Sequence, residues 1–182
     1  MSRVEGLVKA YARFVRQPWE AALAGPERVW FALYDPEEER RLRFRLDEFA
    51  MATKQAGHGW SFVDLADDLG RWLGSHRYAR QYFERPQPLR GSLKTFEAET
   101  IGRVRAALAA PEADANAVVA LGGVAGLFGL MRVSALIEAV APDVRGRLLV
   151  FFPGHKDGPS YRLLDARDGW NYLAVPITAD AD

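Results

Sequence analysis

Residues 117–126 read AVVALGGVAG, and this stretch decides the fold class. Five apolar residues without polar alternation are the pattern of a strand buried on both faces, which is typical of parallel sheets. The pair Gly122-Gly123 then makes a turn. Leu127, Phe128, Leu130, Met131, Val133, Leu136, Ile137 and Val140 follow at helical spacing, so a helix is expected over 124–140, ended by Pro142. Apolar residues surround most of that helix, which predicts cover on more than one side, either from its own neighbours or from a docked protein.

Other runs repeat the pattern on either side. RVWFALY (28–34), GWSFV (59–63) and LLVFF (148–152) read as three more buried strands. Helical segments separate them. Asp35 can cap a helix with Pro36 in its first turn and Glu38 reaching back. Leu42, Leu46, Phe49, Ala50 and Thr53 share its buried face, and Gly57 stops it. Asp64, with Asp67 three residues on, caps a short helix carrying Leu65, Leu69, Trp72 and Leu73 to Gly74. A second short helix over 76–84 presents Tyr78, Tyr82 and Phe83. Pro86 and Pro88 break the chain, and Ser92 is expected to cap a longer helix to residue 110 with Phe96, Thr100, Ile101, Val104 and Leu108 on one side. Residues 2–24 read as helix from Leu7, Tyr11, Phe14 and Val15, with a kink at Pro18. At the other end, 161–164 and 172–177 read as a hairpin around a polar turn at 165–169, with 180–182 frayed.

Strands alternating with helices predict a three-layer α/β domain with a mainly parallel sheet, Rossmann-like or P-loop-like but without a functional P-loop, and a C-terminal β-hairpin. Residues 1–182 are expected to form one domain, with 1–25 as an N-terminal helical extension. At 182 residues with 49% hydrophobic content, the chain can bury roughly 70% of its unfolded surface without a staple.

Composition removes several classes of chemistry. There is no cysteine, so no disulfide, thiolate metal site or thiol nucleophile. Lys plus Arg equals Asp plus Glu, at 24 each, so no overall basic field draws the chain onto nucleic acid. The most apolar stretch, 117–130, is too short to span a bilayer and holds four glycines. No apolar leader follows Met1, so a cytoplasmic location is expected. The cluster Arg40, Arg41, Arg43 and Arg45, preceded by Glu37, Glu38 and Glu39, reads as the solvated face of a helix.

Ligands of open α/β sheets bind outside the carboxyl ends of the strands. Gly122, Gly123 and Gly126 lie at such an end and are the candidate ligand-binding residues, since a strand–glycine–helix junction can hold a phosphate. Neither the P-loop lysine nor its hydroxyl follows, and the spacing is not that of a dinucleotide fingerprint. Close packing of helix on strand explains the same glycines. Asp35, Asp64 and His155 also fall at strand ends. A metal or acid–base role competes there with helix capping, and capping accounts for both aspartates. No serine lies in a nucleophile elbow. No catalytic residue, metal or cofactor is therefore expected. Arg77, Tyr78, Arg80 and Tyr82, together with Arg132 and His155, are the candidate partner-binding residues, because Tyr and Arg dominate interface hot spots.

Four segments taken together carry a family resemblance: HGWSFVDLADDL (58–69), ALGGVAGLFGLMRVSALIE (120–138), LVFFPGHKDGPSYRLLD (149–165) and NYLAVPI (171–177). The chain over 25–178 resembles the BrxB family of bacteriophage exclusion (BREX) defence systems. Gly122, Gly123, Arg132, Pro153, Gly154 and Tyr161 are the motif positions that match, without an assigned role. The resemblance implies an accessory subunit of a multi-protein antiviral system. Its partner would be the alkaline-phosphatase-like PglZ protein alongside other BREX components. DNA would be reached only indirectly through the complex, and no membrane would be involved. A nucleotide- or phosphate-binding regulatory domain using the Gly122-Gly123 turn is the alternative.

Overall fold

Alternate residues of the central strands enter different cores. In a computed structural model describing residues 3–86, 89–164, 166–171 and 174–179, β1 (Val29–Tyr34) sends Val29, Phe31 and Leu33 to one face of a sheet and Trp30, Ala32 and Tyr34 to the other. The same division splits β3 (Ala117–Gly122) and β4 (Arg147–Asp157), as period-two geometry requires. Both faces are therefore apolar, and the strands read as continuous hydrophobic runs.

The parallel sheet runs β2-β3-β4-β1-β7, where β2 is Gly59–Asp64 and β7 is Val175–Ile177. Helices cover both faces, giving the expected three-layer α/β domain. On one side lie α1 (Arg3–Val15), α2 (Glu39–Phe44) and α3 (Leu46–Gln55). On the other lie α4 (Asp68–Ser75), α6 (Leu89–Ala109) and α7 (Val133–Val140), with α5 (Ala79–Glu84) between α4 and α6 in sequence and its Tyr82 packed on that core. Val4, Leu7, Tyr11 and Val15 recur at helical spacing on the buried side of α1, and Phe96, Thr100, Val104 and Leu108 do the same in α6.

Four expectations need correction. The helix expected over 124–140 is two pieces: a 3-10 turn at Val124–Leu127, then α7 from Val133. Gly129 sits between them at φ +75°, in the left-handed region that an α-helix does not use. The N-terminal helix stops at Val15, and it is a layer of the core rather than an extension, because Tyr11 and Val15 are fully buried. Ser92 lies inside α6, where its hydroxyl meets the Tyr82 hydroxyl at 3.1 Å, instead of capping it. The C-terminal hairpin is formed by other strands than expected. β4 does not end at Phe152 as expected but runs on and pairs antiparallel with β5 (Ser160–Leu163); β5 in turn pairs with β6 (Ala166–Asn171). Val175–Ile177 leaves that hairpin and joins the sheet edge parallel to β1.

The expectations that fall on Ser2, Pro88, Asp165, Tyr172, Leu173 and residues 180–182 lie outside the described residues. Among the described residues, no helix is long and apolar enough to cross a membrane.

Candidate functional site at the carboxyl edge of the sheet

Strand order places a crevice at one position. The chain leaves β1 through α2 and α3 and reaches β2 at the far edge, passing β4 and β3. It leaves β4 in the opposite sense, through β5 and β6, and reaches β7 beyond β1. The loops thus diverge between β1 and β4, a topological switch point of the kind where α/β sheets hold ligands. A cleft of about 520 Å³ opens there. Tyr34, Asp35 and Pro36 from the end of β1, Gly154, His155 and Lys156 from β4, and Thr178 and Ala179 after β7 line it, and Arg3 closes it from the start of α1.

Next to this cleft the carboxyl edge is closed by side chains bonded to one another. The Tyr34 hydroxyl donates to Glu39 Oε2. Arg43 Nε donates to Glu39 Oε1 at 2.8 Å, and Arg43 Nη1 donates to Asp64 Oδ2 at 2.9 Å. The chain of contacts runs from the end of β1 to the end of β2. Arg103 adds a bond from Nη1 to the Asp64 carbonyl at 2.8 Å and pairs with Asp68 Oδ1. The Arg43 guanidinium holds the Asp64 carboxyl below the usual carboxylate range. Burial pushes the Asp68 carboxyl up, against the pull of Arg103. Burial likewise raises the Tyr34 phenol, with Glu39 adding to the effect, so the hydroxyl stays protonated as a donor.

This wiring explains several residues singled out in the sequence. Asp64 Oδ1 accepts the Ala66 amide at 3.0 Å, and Asp35 Oδ1 accepts the Glu37 amide at 3.0 Å, so both aspartates cap the turns that follow their strands. Glu38 pairs with Arg41 at 3.1 Å instead of completing a capping box. The arginine cluster is less a bare solvated face than a set of ion pairs: Arg41 to Glu38, Arg43 to Glu39 and Asp64, Arg45 to Glu5 and Glu48. Asp35 and His155 share the cleft, whereas Asp64 does not line it. Among the described residues no group of three or more His, Asp or Glu side chains is placed to hold a metal.

The candidate residues fall into separate places. Gly122, Gly123 and Gly126 stay together and pack on neighbouring chain: a Cβ on Gly123 would lie 2.4 Å from the Ala66 nitrogen, and one on Gly126 would lie 3.1 Å from the Ala66 carbonyl oxygen. Arg77, Tyr78, Arg80 and Tyr82 cluster in and just before α5. There the Arg77 guanidinium lies 5.6 Å from the Tyr78 ring centre, and Tyr78, Tyr82 and Arg85 line a second cleft of about 500 Å³. Arg132 stands exposed immediately before α7, and His155 is in the first cleft.

The chain matches no protein-family model, no curated protein and no solved structure.

Arg3, Lys156 and Thr178 complete the first cleft without having been singled out by sequence. Lys156 had a signal, since it directly follows His155 at a strand end. Arg3 and Thr178 had none, because only the folded chain brings α1 and the segment after β7 to that edge.

Proposed function

We propose that this chain is a non-catalytic interaction subunit of a bacteriophage-exclusion complex in the cytoplasm, docking on the PglZ-type component. The α5 surface supports this reading best. Tyr78 is 46% exposed, Arg77 lies over its ring, and the Arg80 side chain is 93% exposed although it pairs with Glu84. An aromatic group beside arginines at the rim of a cleft is the composition of an interface hot spot. The engagement of Asp35 and Asp64 in caps and ion pairs agrees with a role that does not use them as acid or base. The identity of the complex rests on the sequence resemblance.

Co-expression with the PglZ-type protein tests the reading. Stable co-elution in size exclusion at micromolar concentration is the expected result, and charge reversal of Arg77, Arg80 and Arg85 should abolish it. Separate elution of the two wild-type proteins would remove direct partnership. Retained co-elution of the reversed variant would remove α5 as the docking surface.

A further inference from the structure

We propose that the cleft at the carboxyl ends of β1, β4 and β7 binds a small phosphorylated molecule of about mononucleotide size, a function separate from docking on a partner protein. Three observations converge on it.

The first is position. The loops leaving β1 and β4 run in opposite directions, so the cleft exists because of strand order and not because of a chance surface dent. The second is size. At about 520 Å³ it falls within the range of small-molecule sites.

The third is charge. Arg3, His155 and Lys156 line the cleft, and among the described residues Asp35 is the one carboxylate that does. Asp35 already spends Oδ1 on the Glu37 amide. Arg3 and His155 make no ion pair among the described residues, and Lys156 has only the Tyr161 ring, 6.0 Å from its Nζ. The nearby Arg162 is taken by Asp157 at 2.8 Å. At the other half of the same edge, among the described residues, Arg43 is paired with Asp64 and Arg103 with Asp68. Among the described residues, the cleft half of the edge thus carries Arg3, His155 and Lys156 with little counter-charge, which suits an anion. Two cations from different elements, a ring nitrogen and the Thr178 hydroxyl suit the several acceptor oxygens of a phosphomonoester better than a single carboxylate.

Amide chemical shifts of the full chain, titrated with AMP and ribose 5-phosphate at low salt, test the proposal. Adenosine serves as the uncharged control and succinate as the carboxylate control. The expected result is saturable movement of the Gly154, His155 and Lys156 amides by at least one phosphorylated probe, with Kd below the millimolar range and no response to adenosine. Added potassium chloride should weaken binding by screening. The Lys156→Glu and Arg3→Glu variants alter exposed side chains, should melt like the wild type, and should each weaken binding by about tenfold or more. The proposal is overturned by no movement with either phosphorylated probe, by movement confined to residues 122–126, by equal affinity for succinate, or by unchanged affinity in both variants. Loss of this site would leave co-elution with the PglZ-type protein untouched, so the two readings fail independently. Binding of an acidic partner peptide in the cleft, in place of the phosphorylated probes, would also overturn it.

Discussion

Replacing Gly123 by alanine separates two costs that the structure assigns to this position. Gly123 has φ +71°, and a Cβ there would lie 2.4 Å from the Ala66 nitrogen, 2.6 Å from Asp64 Oδ1 and 2.8 Å from the Ala66 Cα. Holding alanine in the left-handed region costs about 1–2 kcal/mol. Forcing the backbone at Ala66 aside adds roughly 1–3 kcal/mol, as for other overpacked sites. Gly129 isolates the first cost, since it has φ +75° and nothing within 4 Å of a built Cβ. Gly129→Ala should therefore lose about 1–2 kcal/mol and Gly123→Ala about 2–5 kcal/mol. For a chain of this length each kcal/mol lowers Tm by roughly 2–4 °C, so the two variants should melt several degrees apart. Gly122→Ala should be milder than Gly123→Ala, because its Cβ meets the tip of the Phe62 ring, an exposed side chain at the sheet edge that can swing away. Urea denaturation with a common m-value, alongside thermal melts, measures the series. Equal losses for Gly123→Ala and Gly129→Ala would refute close packing of the glycine turn on Ala66. They would also reopen the reading of Gly122 and Gly123 as a ligand cradle.

Two further outcomes follow from buried and edge polar groups. Tyr11 and Thr53 are both fully buried, and their hydroxyls meet at 2.6 Å; Thr53 Oγ1 also donates to the Phe49 carbonyl at 2.8 Å, so the Tyr11 hydroxyl is the donor in the first bond. Thr53→Val strands the Tyr11 hydroxyl and should cost about 1–3 kcal/mol in urea denaturation, more than the roughly 0.5–1.5 kcal/mol of Tyr11→Phe, with the double variant costing less than the two together; a Thr53→Val loss no larger than that of Tyr11→Phe would contradict the donor assignment. Asp64 has a folded pKa below its unfolded value near about 3.9, so its ion pair stabilises above that pH and the contribution is lost as pH falls through the lower folded value. Asp64→Asn should lower stability at neutral pH and flatten its decline below about pH 4; an unchanged acid slope would show that Arg43 does not hold this carboxylate.

Much of the fold was legible because its signals are local. The runs VWFALY, AVVALG and the first half of β4 are apolar on both faces, and that pattern by itself requires a sheet covered twice. Helix faces such as Phe96, Thr100, Val104 and Leu108 declared themselves by spacing. The errors came where local preference was overruled by partners. The run 148–152 reads as a strand ending at Phe152, yet β4 continues because β5 pairs with its far end and the Pro153 carbonyl accepts the Leu164 amide at 2.8 Å. Gly126 and Gly129 sit in an apolar run that reads as continuous helix, and the left-handed turn at Gly129 appears only in the folded chain.

The site was legible in part. The glycine turn, Asp35, Asp64 and His155 were found because strand ends are where α/β chemistry is sought. Their fates were not readable: Asp64 is paired by Arg43 from 21 positions away, and His155 shares a cleft with Arg3 from the start of the chain.

By itself, the sequence determined the central buried strands, most of the helices, their layering and the chemistry that cysteine-free composition removes, since each depends on residues within a few positions of one another or on counts. Tertiary structure alone decided the strand order β2-β3-β4-β1-β7, and with it the divergence of loops that opens the cleft and the matching of charges along one half of the carboxyl edge. Strand order depends on which apolar runs pair across long stretches of chain. All the central runs are similarly apolar, so local pattern carries no record of their neighbours.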